Sequence, residues 1–249
     1  RPSIAQCWLV PALGDFTRRY PSISLTVLTG NDNVNLQRAG IDLAIYFDDA
    51  PSAQLAHHFL MDEEILPVCS PEYAQRHALT NQVINLRHCT LLHDRQAWSN
   101  DSGTDEWHSW AQHYAVNLPT SSGIGFDRSD LAVIAAMNHI GVAMGRKRLV
   151  QKRLASGELV APFGDMTVKC HQHYYITTLP GRQWPKIEAF ITWLREQVKT
   201  NFIMNKTTSS WCALFGTASA NLIIYGFYVV LGINTIMVSP AGIEPAISP

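Results

Sequence analysis

Residues 123–145, GIGFDRSDLAVIAAMNHIGVAMG, contain a predicted strand, a helix and a second strand. The helix is predicted over Ser129–Asn138, and the two strands flank it at Gly123–Phe126 and Gly141–Met144. A further helix is predicted at Arg146–Ser156, directly after the second strand. Strand and helix therefore alternate, which predicts an α/β fold with a mostly parallel sheet.

The same alternation extends in both directions along the chain. Apolar residues recur at helical spacing from Ile4 to Phe16, where Ser3 is placed to cap the helix and Tyr20-Pro21 to end it. Trp107 and Trp110 lie on one stripe of another helix and are predicted to be core residues. Further elements are predicted as strands at Ser24–Leu28, Ile41–Phe47, Ile65–Cys69, Cys89–His93 and His173–Leu179, and as helices starting at Ser70-Pro71-Glu72 and spanning Pro185–Lys199.

The composition excludes disorder and a strongly basic nucleic-acid-binding chain. Hydrophobic residues make up 47% of the 249 residues, and 19 Lys and Arg face 20 Asp and Glu, for a net charge of −1. Five scattered cysteines indicate reduced thiols rather than a disulfide framework, which predicts a cytoplasmic protein. The start at Arg1-Pro2, without a signal sequence, predicts a piece of a longer protein.

The composition changes near residue 200, because no charged residue or histidine occurs between Lys206 and Glu244. One interpretation is a transmembrane helix over 213–238. Asn221, Asn234 and the lack of basic flanks weaken it. The preferred interpretation treats 201–249 as an apolar, non-native tail produced by translation past the natural end of the domain.

Motifs for metal binding and catalysis are not convincing in this sequence. Cys170-His171-Gln172-His173 alternates along a predicted strand, so neighbouring side chains point to opposite faces and no metal site is expected. The basic run from Arg146 to Arg153 is interpreted as the solvated face of a helix. No nucleophile motif or phosphate-binding loop is present, so the sequence predicts no catalytic residue, no cofactor and no enzyme.

Two serines stand out because each is placed at a predicted helix start beside a strand end. Ser3 begins the first helix, and Ser129 begins the helix after Phe126. Backbone N–H groups at such positions bind carboxylates, and a hydroxyl adds one more hydrogen bond. Taken singly, each serine is more simply interpreted as a helix cap.

The sequence resembles the effector-binding domains of LysR-type transcriptional regulators over residues 1–200. The motifs that carry this resemblance are WLVPALGDF at 8–16, RYP at 19–21, GIDLAI at 40–45, SPE at 70–72, DLAVIAA at 130–136, GVAMG at 141–145, LASGELV at 154–160 and Pro162-Phe163. Their order and spacing follow the family pattern.

The resemblance implies a periplasmic-binding-protein-like domain of type 2, in which an effector binds between two α/β lobes. Lobe I is expected over 1–68 and 175–200 and lobe II over 69–174, so the chain crosses near Val68 and Tyr175. The DNA-binding helix-turn-helix of the family is absent from this chain, so direct DNA binding is not expected. No membrane partner is expected either. A homodimer or tetramer through lobe I is implied, with apolar surface from Trp8, Phe16 and Leu36.

The resemblance also implies the effector and its contacts. The resemblance points to a small amino acid, D-serine, and places site residues at Ser3, Asn35, Ser129 and Tyr174. Matching the groups of an amino-acid zwitterion to the neighbouring sequence adds Asn33, Phe126 and Asp127. In this interpretation Ser3 holds the carboxylate, Asp127 meets the ammonium, and Tyr174 with Asn33 or Asn35 binds the hydroxyl. The alternative is a solute-binding protein of an amino-acid transporter, which shares the fold.

Overall fold

A computed structural model describes residues 2–30, 35–49, 55–97, 105–181 and 184–207. The strands are β1 (Leu43–Asp48), β2 (Ala56–Met61), β3 (Glu64–Val68), β4 (Leu91–Asp94), β5 (Ile124–Phe126), β6 (Val142–Arg146), β7 (Val168–Lys169) and β8 (His173–Thr178). The α-helices are α1 (Pro2–Ile4), α2 (Leu13–Arg19), α3 (Pro71–Arg76), α4 (Asp105–His113), α5 (Ser129–Met137), α6 (Lys147–Ser156) and α7 (Pro185–Thr207).

The first predicted helix is present, but its middle is irregular. A π-helical turn at Ala5–Leu9 and a 3-10 turn at Val10–Ala12 join α1 to α2. Pro11 lacks a backbone N–H and cannot continue a regular α-helical ladder, which accounts for the change of winding. The whole stretch before Tyr20 therefore forms one irregular helical segment, called here the first helical segment.

The strands form a smaller and a larger sheet. In the smaller sheet the order is β1-β8-β2, and β8 pairs antiparallel with both neighbours. In the larger sheet the order is β5-β4-β6-β3-β7, and only the pairs of β4 with β5 and β6 are parallel. Helices α4 and α5 supply the crossovers that parallel pairing requires.

The expectation of mostly parallel sheets is therefore wrong, although the α/β class with mixed sheets is confirmed. Among the described strands, four of the six ladders are antiparallel. The predicted strand Ser24–Leu28 contributes only a bridge residue, Thr26. Helix–strand alternation in sequence does not fix the direction of β8, which returns to the smaller sheet without a helical crossover beside it.

The chain passes between the two sheets at two short linkers. It leaves the smaller sheet after Met61 and returns to it at His173. The linkers touch, since Cys170 N donates to Glu63 O at 3.0 Å. The ladder between β3 and β6 places Val68 in the larger sheet, so the first crossing lies before the position inferred from sequence.

Aromatic side chains fill much of the core. The ring of Phe16 lies 4.9 Å from that of Phe190 and 5.2 Å from that of Trp193, which fastens the first helical segment to α7. Trp107 and Trp110 are buried as predicted, and their indole N–H groups donate to Leu92 O at 3.1 Å and Met166 O at 2.8 Å. Large buried rings with satisfied N–H groups stabilise such a core strongly.

Three residues expected to give apolar surface for self-association are instead core residues. Trp8 and Phe16 belong to the main core, and Leu36 packs with Ile41 and Ala44. The apolar stripe of an amphipathic helix normally packs against the core of its own domain, so these apolar residues were wrongly expected at the surface.

The last helix continues past the predicted end at Lys199 and reaches Thr207. In the part of the chain that the structure describes, no helix is long and apolar enough to span a membrane. The candidate membrane segment at 213–238 lies outside the described residues.

Candidate ligand-binding site

The hydroxyl groups of Ser3 and Ser129 meet directly. Ser129 Oγ donates to Ser3 Oγ at 2.9 Å, across 126 positions of sequence, and both residues are buried. Ser3 Oγ in turn donates to Asp130 Oδ1 at 2.9 Å. The first helical segment and α5 are therefore joined by a chain of hydrogen bonds.

The prediction that both serines cap helices is wrong. The N-cap of α5 is Arg128, which makes no side-chain cap hydrogen bond, and Ser129 is the first residue inside the helix. Ser3 likewise lies within α1. Each hydroxyl is used for contact between the two segments, which a local capping pattern does not reveal.

An ion pair completes this site. Arg128 Nε donates to Asp130 Oδ1 at 3.0 Å, and its terminal nitrogen also contacts Asp130 Oδ2 and Gln6 Oε1, the latter at 3.2 Å. The Asp130 side chain is 1% exposed and that of Arg128 is 20% exposed. The hydrogen bond to Asp130 raises the pKa of Arg128, so the guanidinium stays charged. Ser3, Gln6, Arg128, Ser129 and Asp130 are called here the Ser3–Asp130 cluster.

Three members of this cluster were not predicted from sequence: Gln6, Arg128 and Asp130. Asp130 was visible as an acidic residue in the first turn of α5, a position usually explained by the helix dipole alone. Its burial depends on Ser3, which lies far away in sequence. Only the presence of opposite charges at 128 and 130 beside Ser129 could have indicated the pair.

The other predicted site residues are less closely gathered. Asn35 Oδ1 accepts from Arg38 N at 2.9 Å in an exposed turn, and Asn33 lies outside the described residues. Phe126 ends β5 and packs half-buried against the core of the larger sheet. Asp127 is exposed and interacts electrostatically with Arg128. Their roles toward an effector stay predictions.

Tyr174 lies at the crossing between the sheets. It is buried, and its ring lies 4.6 Å from that of Phe47. Burial raises the pKa of Tyr174, and the carboxylate of Glu63 raises it further. The phenol is therefore neutral at physiological pH and keeps a proton to donate.

Beside Tyr174 lies a fully buried arginine. Arg146 approaches Glu106 Oε1 at 3.3 Å and Asp94 Oδ2 at 3.7 Å, and its guanidinium lies 4.5 Å from the centre of the Phe47 ring. Burial by itself lowers the pKa of Arg146, but the nearby acidic groups, Glu106 foremost, outweigh it and raise the pKa overall. The assignment of this residue to a solvated helix face is wrong, because Arg146 ends β6 before α6 begins.

Glu63 occupies the first linker between the sheets. Its Oε1 accepts from Glu64 N at 3.0 Å and from Arg148 N at 2.9 Å, the latter in the first turn of α6. Its Oε2 is buried and has no hydrogen-bond partner among the described residues. Burial raises the pKa of Glu63 to about 7. Glu63, Asp94, Glu106, Arg146 and Tyr174 are called here the crossing cluster.

A serine, a histidine and a glutamate also come together at the start of α3. Ser70 Oγ lies 2.6 Å from His139 Nδ1, and His139 Nε2 lies 3.3 Å from Glu72 Oε2. Ser70 Oγ also accepts from Tyr73 N at 3.1 Å, and Ser70 is 1% exposed. The hydroxyl is therefore a buried helix cap, as the Ser-Pro-Glu motif predicts, and it is closed to a substrate.

Comparison with known sequences assigns the fold to a family. Residues 1–199 match the LysR substrate binding domain. The chain belongs to the LysR substrate-binding domain family. This match confirms the resemblance seen in the sequence, and the LysR-type domain accounts for the α/β architecture described above.

The relatives of this LysR-type chain are transcriptional regulators. The HTH-type transcriptional regulator DsdC of Escherichia coli (strain K12) is 98% identical over 200 residues, which cover 80% of this chain and 64% of the regulator. The HTH-type transcriptional regulator PerR of the same strain is 30% identical over 200 residues, covering 79% of this chain and 64% of that protein. The chain thus spans under two thirds of the length of these regulators.

Solved structures of LysR-type domains agree with this assignment. The effector domain of the regulator AmpR of Pseudomonas aeruginosa matches with a TM-score of 0.66 and 29% identity, covering 82% of this chain and 95% of that one. The AmpR effector binding domain from Citrobacter freundii matches with a TM-score of 0.64 and 26% identity, over 82% and 95% of the two chains. A LysR-type effector-binding fold is therefore established.

Proposed function

We propose that this chain is the sensor of a LysR-type transcriptional activator and binds a small amino acid, D-serine foremost, between its two lobes. The observation that carries the proposal is the meeting of the Ser3 and Ser129 hydroxyls at 2.9 Å. The near-identity to the regulator DsdC supports the regulatory role. The likeness to two AmpR effector domains supports effector binding.

The polar groups around these hydroxyls suit an amino acid. Ser3 and Ser129 can donate to a carboxylate. An ammonium needs a nearby acid, and Asp127 and Asp130 both lie within two residues of Ser129. Tyr174 keeps its proton and is proposed to recognise the ligand hydroxyl, together with Asn33 or Asn35. Phe126 supplies apolar surface at the end of β5. Lobe I is proposed to comprise the smaller sheet with the first helical segment and α7.

The alternative, a solute-binding protein of an amino-acid transporter, has the same fold but a different partner. The regulatory relatives favour the sensor. We further propose that the intact regulator acts in the cytoplasm as a homodimer or tetramer through lobe I, and contacts DNA through a segment other than this chain. Sedimentation of this chain at tens of micromolar should show a dimer, and a monomer alone would contradict that part.

Calorimetric titration of the full chain with D-serine, L-serine and glycine tests the effector. D-serine should bind more tightly than L-serine, and Ser3→Ala should weaken D-serine binding by about one to two decades, as expected for losing a hydrogen bond to a charged group. Ser156→Ala is the matched control, because Ser156 is exposed and its hydroxyl donates only to Arg153 O within α6. Equal affinity for both enantiomers would refute D-serine as the effector.

A further inference from the structure

Arg128 and Asp130 are the charged residues of the Ser3–Asp130 cluster. Asp130 is almost completely buried and accepts from Ser3 and from two nitrogens of Arg128. Arg128 is one fifth exposed, so one side of the pair is open to solvent while the other is enclosed. A pair of opposite charges, partly open and held against two hydroxyls, has the chemistry of a zwitterion receptor.

A lone anion does not fit beside Ser3. Ser3 Oγ lies 2.9 Å from Asp130 Oδ1, so a carboxylate bound to Ser3 alone would face a second carboxylate at short range. Like charges so close repel strongly where water is scarce. A ligand that also carries an ammonium removes this repulsion, and its carboxylate finds the guanidinium of Arg128 two residues from Asp130.

We propose that Arg128 and Asp130 are the charge-recognition pair of the effector site, Arg128 for the α-carboxylate and Asp130 for the α-ammonium. This inference rests on the proposed function and names its charged contacts. Each charge is now the other's main partner, and a zwitterion offers both an equivalent partner. The exchange leaves neither charge buried without a counterion, which would otherwise oppose binding.

Asp130 suits the ammonium better than Asp127, which sequence alone suggested. Asp127 is exposed, and exposed ion pairs contribute little because water and salt screen them. Asp130 is enclosed and already oriented by Ser3 and Arg128. A fixed, desolvated charge of this kind discriminates more strongly between ligands, because a ligand without the opposite charge leaves it buried and unpaired.

The exchange also connects ligand binding to the contact between segments. Ser3 and Gln6 of the first helical segment hold Asp130 and Arg128, respectively, at 2.9 Å and 3.2 Å. A ligand that engages both charges therefore competes with, or reinforces, the contacts that join this segment to α5. Specificity for zwitterions and control of the interface follow from the same two side chains.

The test uses the full chain and three probes in calorimetric titrations: D-serine, D-serinamide, which lacks the carboxylate, and D-glycerate, which lacks the ammonium. Wild type should prefer D-serine over each other probe by at least about tenfold. Asp130→Asn should remove most of the preference over D-glycerate, and Arg128→Gln most of the preference over D-serinamide. Asp165→Asn, a change at an exposed carboxylate, should preserve both preferences.

Asp130→Glu guards against a loss of fold, because it keeps the charge and should keep the preference for D-serine over D-glycerate. If Asp130→Asn and Arg128→Gln each weaken the binding of all three probes by one common factor, the pair has only a structural role and the proposal is overturned. The same holds if Asp127→Asn, and not Asp130→Asn, removes the preference. If D-serine binds but the variants keep the wild-type preferences among the probes, only this inference is refuted. If D-serine, L-serine and glycine all fail to bind the wild-type chain, the proposed amino-acid sensor is refuted as well.

Discussion

Replacing Glu63 by glutamine should make the domain more stable, and increasingly so as the pH rises. Glu63 is 1% exposed in the first linker between the sheets, and its Oε2 has no hydrogen-bond partner among the described residues. Glutamine keeps the Oε1 acceptor for the backbone N–H groups of Glu64 and Arg148. It removes the charge, whose burial is unfavourable, and puts an amide NH2 group in place of Oε2.

The pKa shift sets the size and direction of the effect. Burial raises the pKa of Glu63 from 4.5 to about 7, so the folded chain holds a proton that the unfolded chain releases. The contribution of Glu63 to the wild-type free energy of unfolding is therefore fully present below pH 4.5, and it is lost as the pH rises through 7. At about 1.36 kcal/mol per pKa unit, the loss at pH 8 is about 3 kcal/mol.

Urea unfolding of both chains between pH 5 and pH 8 measures this difference. The gain in unfolding free energy of Glu63→Gln over wild type should grow by about 2.5 kcal/mol across that interval. Glu158→Gln, at an exposed carboxylate, is the control and should show no such growth. A gain that stays constant with pH would show that Glu63 is ionised normally in the folded chain and would refute the reasoning.

Three further outcomes are expected. Arg146→Ala should lower the unfolding free energy by about 3–5 kcal/mol, because it removes one partner of a buried ion pair with Glu106 and Asp94, and a loss below about 1 kcal/mol in urea unfolding would contradict this. Burial raises the pKa of the Cys69 and Cys170 thiols to about 12, so both should react with a thiol reagent at neutral pH only after unfolding. Fast modification of the native chain would contradict this. Deleting residues 208–249, the part of the predicted tail that follows α7, should leave the urea midpoint and the D-serine affinity unchanged, and loss of either would make these residues part of the domain.

The general fold could be predicted from sequence because its signals are local. The periodicity of α5 and α6 and the stripe holding Trp107 and Trp110 each lie within one element, and all are present in the structure. Strand direction is not local. The antiparallel pairing of β8 depends on where the chain re-enters the smaller sheet, which no periodicity records.

The candidate site was predicted in part for the same reason. Ser3 and Ser129 were selected as helix-start hydroxyls, and they do lie in contact, but as partners of each other and of Asp130. The partners of Ser3 lie 126 and 127 positions away in sequence. A capping rule describes one turn of helix and cannot identify a contact across 126 positions.

Arg146 was likewise assigned from a local pattern, and its true position depends on residues distant in sequence. Its position in a basic run indicated solvent, yet it is buried between two acids and the ring of Phe47. Burying an arginine is unfavourable unless several elements supply counterions together, here β4 and α4. Asp130 likewise departs from the expectation for a helix start, since Ser3 and Arg128 enclose it.

Both departures occur where segments distant in sequence meet, one between the first helical segment and α5, the other where the chain crosses between the sheets. Buried charges at such junctions fix the relative position of the joined parts only while every charge keeps a partner. A ligand that supplies new partners to Arg128 and Asp130 replaces the partners that these charges have at the first junction, between the first helical segment and α5. In the crossing cluster, Arg146 already faces Glu106 and Asp94, and the proposed ligand contact is the neutral phenol of Tyr174. The first junction is therefore the one at which the charges of a small zwitterion can act on the contacts between segments.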